Sequence, residues 1–450
     1  MKKIFPLLSL FLLISFFAFS QEWEWTKIAG GPAVDKVTGV ATDASGNIFC
    51  TGYFDSTIVF DSTRLVSAGG TDVFLAKYDA DGVLLWAKQV GGQNDDYSSS
   101  LSTDITGNCY VTGFFFIQGT TTTFGSTSIT EAGDADMFIS KFTAAGNLLW
   151  VRNGGSRSED ASFGITTDVS GNSYVCGYFS GSAMFGNNKI NSLGYTDIFV
   201  SKYDAAGNLV WIRTGGGAYQ DEAYSVSTEV AGNCYLTGYF TGNAVFSGVS
   251  LASAGYFDTD VFLLKYNPSG VLVWAKRAGG TGNDIGYGID IANNGSIFID
   301  GVFHGSKSFG DNVLTRVTGS NGFIAKFESS GKMTWSRGTN GQSYNEFRKI
   351  STDAAGNCYV AGYFTNEVAL GSIKMNSSGG KDVCVAKYDS KGSLMWVLQG
   401  GGTEDDEGMT ITTDKAGVCY VAGQFNTAAA FGRMKVSGWL LHDIFVSRIK

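Results

Sequence analysis

The sequence is poor in proline, histidine and positive charge: 3 Pro and 2 His in 450 residues, with 32 Lys and Arg against 41 Asp and Glu. An acidic chain of this kind offers no cationic surface to release counterions from phosphate, so a nucleic-acid partner is not expected. Neither histidine, His304 or His442, has a nucleophile motif beside it. No C-x-x-C pair or Cys/His cluster suggests a metal site. The glycine pairs (Gly30-Gly31, Gly91-Gly92, Gly154-Gly155) lack the Lys-Ser/Thr and the helix that a phosphate loop needs. After residue 20 no apolar stretch approaches the length of a membrane span.

Glycine is abundant, with 62 residues, and aromatics reach 14%. This mixture suits short strands and tight turns, and its aromatics set it apart from a disordered linker. Lys2, Lys3, the apolar residues 4–19 and the small residues of Ala18-Phe19-Ser20 read as a signal peptide cut before Gln21. An uncleaved anchor is the alternative. No Cys follows the cut, so a lipid anchor is not indicated. Removal takes away two lysines and no acid, moving the formal charge from −9 to −11. Residues 21–450 are then expected as one exported domain, extracellular, cell-surface or periplasmic, and monomeric.

That domain is a sentence written seven times. Trp25, Trp86, Trp150, Trp211, Trp274, Trp335 and Trp396 step by 61, 64, 61, 63, 61 and 61 residues, and the turn glycines Gly46, Gly107, Gly171, Gly232, Gly295, Gly356 and Gly417 repeat those steps. A period near 60 with strand-like content predicts an all-β repeat array. Each unit supplies four strands. Strand A is small and polar (Ser98 to Asp104), and strand B follows a D-x-x-G turn (Asn108 to Gly113). Strand C is apolar (Asp197 to Tyr203), and strand D carries Leu-x-Trp on one face (Leu209, Trp211). Small residues suit an innermost strand, which leaves the Trp near the rim, packing between blades.

Glu22-Trp23-Glu24-Trp25 has the strand D pattern with no A, B or C strand before it, and the last unit ends after strand C at Lys450. The simplest prediction is an all-β, closed, seven-bladed β-propeller of four-stranded antiparallel blades. The N-terminal strand completes the last blade and leaves no open sheet edge; an open spiral is the alternative. Six of the seven cysteines (Cys50, Cys109, Cys176, Cys234, Cys358, Cys419) occupy corresponding positions, too far apart in such a ring to bridge, and read as small buried thiols.

The D-x-x-G-N-x-Y-x-x-G run (Asp104 to Gly113), the D-x-F-x-x-K-Y run (Asp72 to Tyr78) and the G-x-L-x-W run (Gly207 to Trp211) resemble the SBBP-type β-propeller repeat of exported bacterial proteins. The resemblance covers nearly all of residues 21–450. It implies the fold and a structural or interaction role. The fifth unit departs from it: Ala292 replaces the turn Asp, Ser296 the Asn, and Asn321 the strand C Asp.

Every length change falls between strands B and C, on the same face as the glycine-rich D–A segments, so that face is the expected binding surface. Trp439 and His442, Tyr256 and Phe257, and Phe114 to Phe116 lie in these connections and suit a protein or glycan partner, with local packing as the alternative. Asp35, Asp96, Asp160, Asp221, Asp284 and Asp406, with Asn345, lie ten residues after each Trp. They are expected to cap their own loops. A calcium-gathering carboxylate ring at the channel mouth is the alternative, and no cofactor is otherwise indicated. The Asp before strand C and the Asp opening the A–B turn read as structural. A carbohydrate-active enzyme needs a unique acid pair, which nothing singles out. His304, Asp300, Arg316 and the nearby Arg348 make the fifth blade the place for a unique site, with plain degeneration as the alternative.

Overall fold

A computed structural model describes residues 21–450 apart from 117–120, 126, 131, 305–306, 310–311, 315–318, 342–343 and 440. Among these residues every regular element is a β-strand. The first unit consists of strand A (Asp35–Thr42), B (Ile48–Phe60), C (Thr63–Tyr78) and D (Leu84–Val90), each antiparallel to the next. The same order recurs in the units whose A strands begin at Asp96, Ala161, Glu222, Ile285 and Asn345. The Arg316 position lies outside the described residues.

The D-x-x-G turns close as the sequence predicts. Asp104 Oδ1 accepts the backbone N–H groups of Thr106 and Asn108 at 2.9 and 3.0 Å, and Gly107 takes φ 80°, which a side chain would strain. Strand C is buried almost throughout, as in Asp197–Tyr203, because its sheet is covered on both faces; this is why it reads as a continuous apolar run. All seven cysteines are buried and unbridged, and burial pushes the Cys50 thiol up to about 12.

Units join through the tryptophans. The Trp150 indole donates to the Ala205 carbonyl of the next unit's C–D turn at 3.2 Å, and Trp86, Trp211, Trp274 and Trp335 repeat the bond at 3.1–3.3 Å. The glycine of that turn lies against the ring: an added Cβ on Gly207 would sit 2.7 Å from Trp150. The two chain ends also meet. The last unit holds strands Glu407–Thr413, Cys419–Phe425 and Asp443–Ile449, and Trp23–Gly30 pairs with the third, Trp25 opposite Arg448 and Ala29 opposite Ile444. Each A strand packs against the A strands of the units before and after it, and Glu407–Thr413 packs against Asp35–Thr42.

Two expectations need correction. Among the described residues the B–C connections, expected as variable loops, form hairpins. Ser182–Phe185 pairs with Asn188–Asn191, and Phe185 then pairs with Gly154 at the end of the preceding D strand. A Cβ on Gly154 would stand 2.7 Å from the Phe185 ring, so the glycine pairs are docking seats for these hairpins. Nor is strand A small and polar throughout: Phe163, Tyr224 and Tyr287 occupy it in the third, fourth and fifth units, because they line a cavity with room for their rings.

Trp23 is 6% exposed and meets Phe431 edge-on at 5.0 Å. Trp23→Ala should therefore cost about 3–5 kcal/mol although it lies three residues into the described chain. Urea denaturation measures this; a loss under about 1 kcal/mol would show that the terminal strand contributes little.

Candidate functional site: an aromatic bowl on the axis

The third residue after each recurrent Asp or Asn of strand A faces the axis. Thr38, Ser99, Phe163, Tyr224, Tyr287, Arg348 and Met409, one from each unit, line a single cavity of about 490 Å³. These side chains share one register on strand A and differ in chemistry from unit to unit.

The cavity wall is aromatic on one side. Phe163 and Tyr224 stack at 5.1 Å with planes 29° apart, and Tyr224 meets Tyr287 at 5.5 Å. Tyr97 stacks on Phe114 at 5.2 Å and is met edge-on by Tyr53 at 4.8 Å. The other side is polar. The Arg348 guanidinium lies 4.6 Å over Tyr287 and pairs with Glu346 at 2.8 Å, and Lys349 lines the cavity beside it. The Tyr224 hydroxyl donates to Glu222 at 2.9 Å, and burial raises that carboxyl above its usual range.

Two ionisable side chains stand at positions where no other unit has one: Lys349, which lines the cavity, and the buried Asp300. Lys349 stands where the other units have Gly39, Ser100, Gly164, Ser225, Gly288 and Thr410, and Asp300 where they have Thr51, Thr112, Cys176, Thr237, Ala361 and Ala422. The Lys349 ammonium reaches past Gly288 to the Ser225 hydroxyl at 3.3 Å. Asp300 is fully buried. Burial pushes its carboxyl up to about 7 while Lys349 draws it down; burial likewise lowers the Lys349 pKa, against Asp300 and Asp290.

The residues singled out by sequence distribute unevenly around this cavity. Phe116 joins its wall, 6.0 Å from Tyr97 and 5.8 Å from Phe114. Arg348 lines it, and Asp300 lies beneath it. Tyr256 and Phe257, each 70% exposed, form a separate cluster with Tyr219. Trp439 is exposed in a turn where its N–H donates to Asp443. His442 accepts Asp35 N–H on its carbonyl, and burial lowers the pKa of its imidazole. His304 Nδ1 lies 2.6 Å from the Asn283 carbonyl, away from Asp300.

The recurrent aspartates do not surround a common mouth. None lines the cavity. Each is fully buried at the junction between two units: Asp221 accepts the Gly217 and Thr241 N–H groups at 2.7 and 3.0 Å, and Asp160 those of Ser156 and Ser180 at 2.5 and 2.9 Å. Among the described residues no group of three or more His, Cys, Asp or Glu is placed to hold a metal ion.

Residues 24–57 and 85–113 match the SBBP family, a beta-propeller repeat. The chain is a β-propeller repeat protein. It is 21% identical over 90% of its length to an uncharacterized WD repeat-containing protein of Acanthamoeba polyphaga mimivirus, and 26% identical over 33% of its length to the regulatory protein FlaEY of Caulobacter vibrioides. It spans 36% and 16% of those relatives. The Pan2 WD40 domain of Neurospora crassa aligns over 95% of this chain and 97% of its own, at 7% identity and TM-score 0.47.

Lys349→Met should leave Asp300 buried without its counter-charge and cost about 3–5 kcal/mol, whereas combining it with Asp300→Leu should restore most of that loss. A double-mutant cycle by urea denaturation checks this; additive losses would mean that the two groups do not compensate each other.

Proposed function

We propose that this is an exported, closed seven-bladed propeller that binds a glycan in the aromatic bowl at one end of its central channel. Closure is supported by the pairing of Trp23–Gly30 with Asp443–Ile449, by the packing of the last A strand on the first, and by the seven cavity-lining side chains, one per unit. Export rests on the signal-like residues 1–20. The observation that carries the ligand class is two groups of rings, Tyr97 with Phe114 and Phe163 with Tyr224 and Tyr287, in a cavity that Arg348 and Lys349 also line. Flat aromatic faces pack against the C–H face of a sugar ring, while fixed polar groups orient its hydroxyls. The junction aspartates, already occupied by backbone N–H groups, are read as structural, without a resident cation.

A second reading, a carbohydrate-active enzyme in the same bowl, draws on Glu222, whose raised carboxyl suits a general acid. Its requirement is turnover of an oligosaccharide that Glu222→Gln abolishes.

The test is titration of an oligosaccharide panel against the protein. Phe163→Ala and Tyr224→Ala should each weaken a glycan that binds by about tenfold or more, on the order of the 1–3 kcal/mol a stacked ring contributes. Tyr256→Ala and Phe257→Ala should leave it unchanged. Capture of a protein partner that competes at these rings, with no glycan bound, would replace the glycan reading.

A further inference from the structure

We propose that the unit junctions of this protein are locked by pairs of buried aspartates that each share one proton, making the assembly an acid-tight fold that loosens as pH rises. The pairs join strand C of one unit to strand A of the next: Asp72 with Asp96, Asp197 with Asp221, Asp382 with Asp406, and Asp443 with Asp35 across the chain ends. All eight side chains are at most 1% exposed.

In three of the pairs the two carboxyls flank one glycine, Gly91, Gly216 or Gly401. An added Cβ on Gly401 would lie 3.0 Å from both Asp382 Oδ1 and Asp406 Oδ2, and one on Gly216 would lie 2.5 and 2.8 Å from Asp197 Oδ1 and Asp221 Oδ2. The outer oxygens are occupied. Asp197 Oδ2 accepts Leu193 N–H at 3.0 Å, and Asp382 Oδ2 accepts Ser378 N–H and the Gln399 amide. On the inner side Oδ2 of Asp96, Asp221 and Asp406 accepts one backbone N–H each, from Gly92, Gly217 and Gly402, but Oδ1 of Asp72, Asp197, Asp382 and Asp443 is buried and accepts no hydrogen bond. Two ionised carboxylates would thus face each other with no donor between them, at a cost in both repulsion and desolvation.

The fifth unit supplies the control. There both positions are amides, and Asn345 Nδ2 donates to Asn321 Oδ1 at 3.3 Å. The same geometry is kept by a hydrogen that the amide carries permanently, and in the acid pairs only a carboxyl proton can take that place. In the fourth unit Arg277 pairs with Asp260 at 3.2 Å, so that junction has a cation instead.

Lys36 follows Asp35, Lys381 precedes Asp382 and His442 precedes Asp443, and acidic neighbours bear on each of the four pairs. Asp95 bears on Asp96, Glu222 on Asp221, Asp405 on Asp406 and Asp55 on Asp35. Burial first, and then the partner carboxyl, pushes Asp35 up to about 8 and Asp96, Asp221 and Asp406 up to about 7. In the unfolded chain these groups ionise near pH 4. Between about pH 4 and 8 the folded protein therefore binds more protons than the unfolded chain, and its stability falls as pH rises through that window.

The test uses the whole protein. The melting temperature should fall between about pH 5 and about pH 9, and infrared difference spectra should show protonated carboxyl groups at the lower pH that disappear at the higher. Asp197→Asn and Asp382→Asn copy the fifth unit; each should raise the melting temperature by a few degrees near pH 8, leave it unchanged near pH 5, and flatten the slope. A melting temperature independent of pH with no protonated carboxyl band would overturn the proposal, and the spectra decide it even where a variant fails to fold. A rise in melting temperature on adding calcium near pH 8 that the Asn variants abolish would overturn it as well, because a cation rather than a proton would then join the pair.

Discussion

The structure depends on the contact between an indole and a glycine. Trp25, Trp86, Trp150, Trp211, Trp274 and Trp335 each lie on the C–D turn of the following unit, the indole N–H bonded to a turn carbonyl. The partners are 55 residues apart for Trp150, Trp274 and Trp335, 57 for Trp211 and 58 for Trp86. The surplus two and three residues are those added between strands B and C. The contact tolerates no side chain on the turn and little drift of the ring, since a buried aromatic contributes several kcal/mol only when its surroundings close around it. Length variation is therefore pushed into the B–C hairpins, which dock at the far end of the same junction.

This constraint explains what can be read from the chain alone. The period, the four strands per unit, the turn chemistry, the packing role of the tryptophans and the pairing of Trp23 and Trp25 with the last unit all repeat, and repetition is what periodicity detects. The bowl is hidden from the same reading because its residues are those that do not repeat: Thr38, Ser99, Phe163, Tyr224, Tyr287, Arg348 and Met409 share a position and no chemistry. A comparison of units that rewarded difference at fixed register would have found them. The carboxyl pairs are a middle case. Both positions recur visibly, and their constant separation of 24 residues (Asp72 to Asp96, Asp197 to Asp221, Asp382 to Asp406) is the overlooked sign that they meet.

The fifth and sixth units show where the symmetry is broken and at what cost. Ala292 removes the turn carboxylate, and Lys326, whose counterparts Lys77, Lys141 and Lys265 reach both that acid and the next unit's turn carbonyl, keeps the carbonyl of Ser390 at 2.8 Å. Asn321 and Asn345 replace a proton-sharing pair with an amide contact. These changes preserve the junction by other means and read as drift within a tolerant scaffold. Lys349 and Asp300 are of another kind. They put two charges where every other unit has a small or neutral residue, and a buried charge pair seldom adds stability over an apolar packing. A costly feature at the cavity is better accounted for by what it presents to the axis than by what it contributes to the fold.

The distribution of side chains around the axis then gives the bowl a direction. Two groups of touching rings, Tyr53, Tyr97 and Phe114 in the first two units and Phe163, Tyr224 and Tyr287 in the next three, line part of the wall. From the sixth through the seventh to the first it is Arg348, Lys349, Met409 and Thr38. A ligand on the axis meets a flat apolar face on one side and fixed charges on the other. An elongated polar molecule with one hydrophobic face satisfies both at once, whereas a uniformly apolar ligand would leave the charged arc without solvent or partner. The repeat supplies a nearly symmetric frame, and the recognition it supports is one-sided.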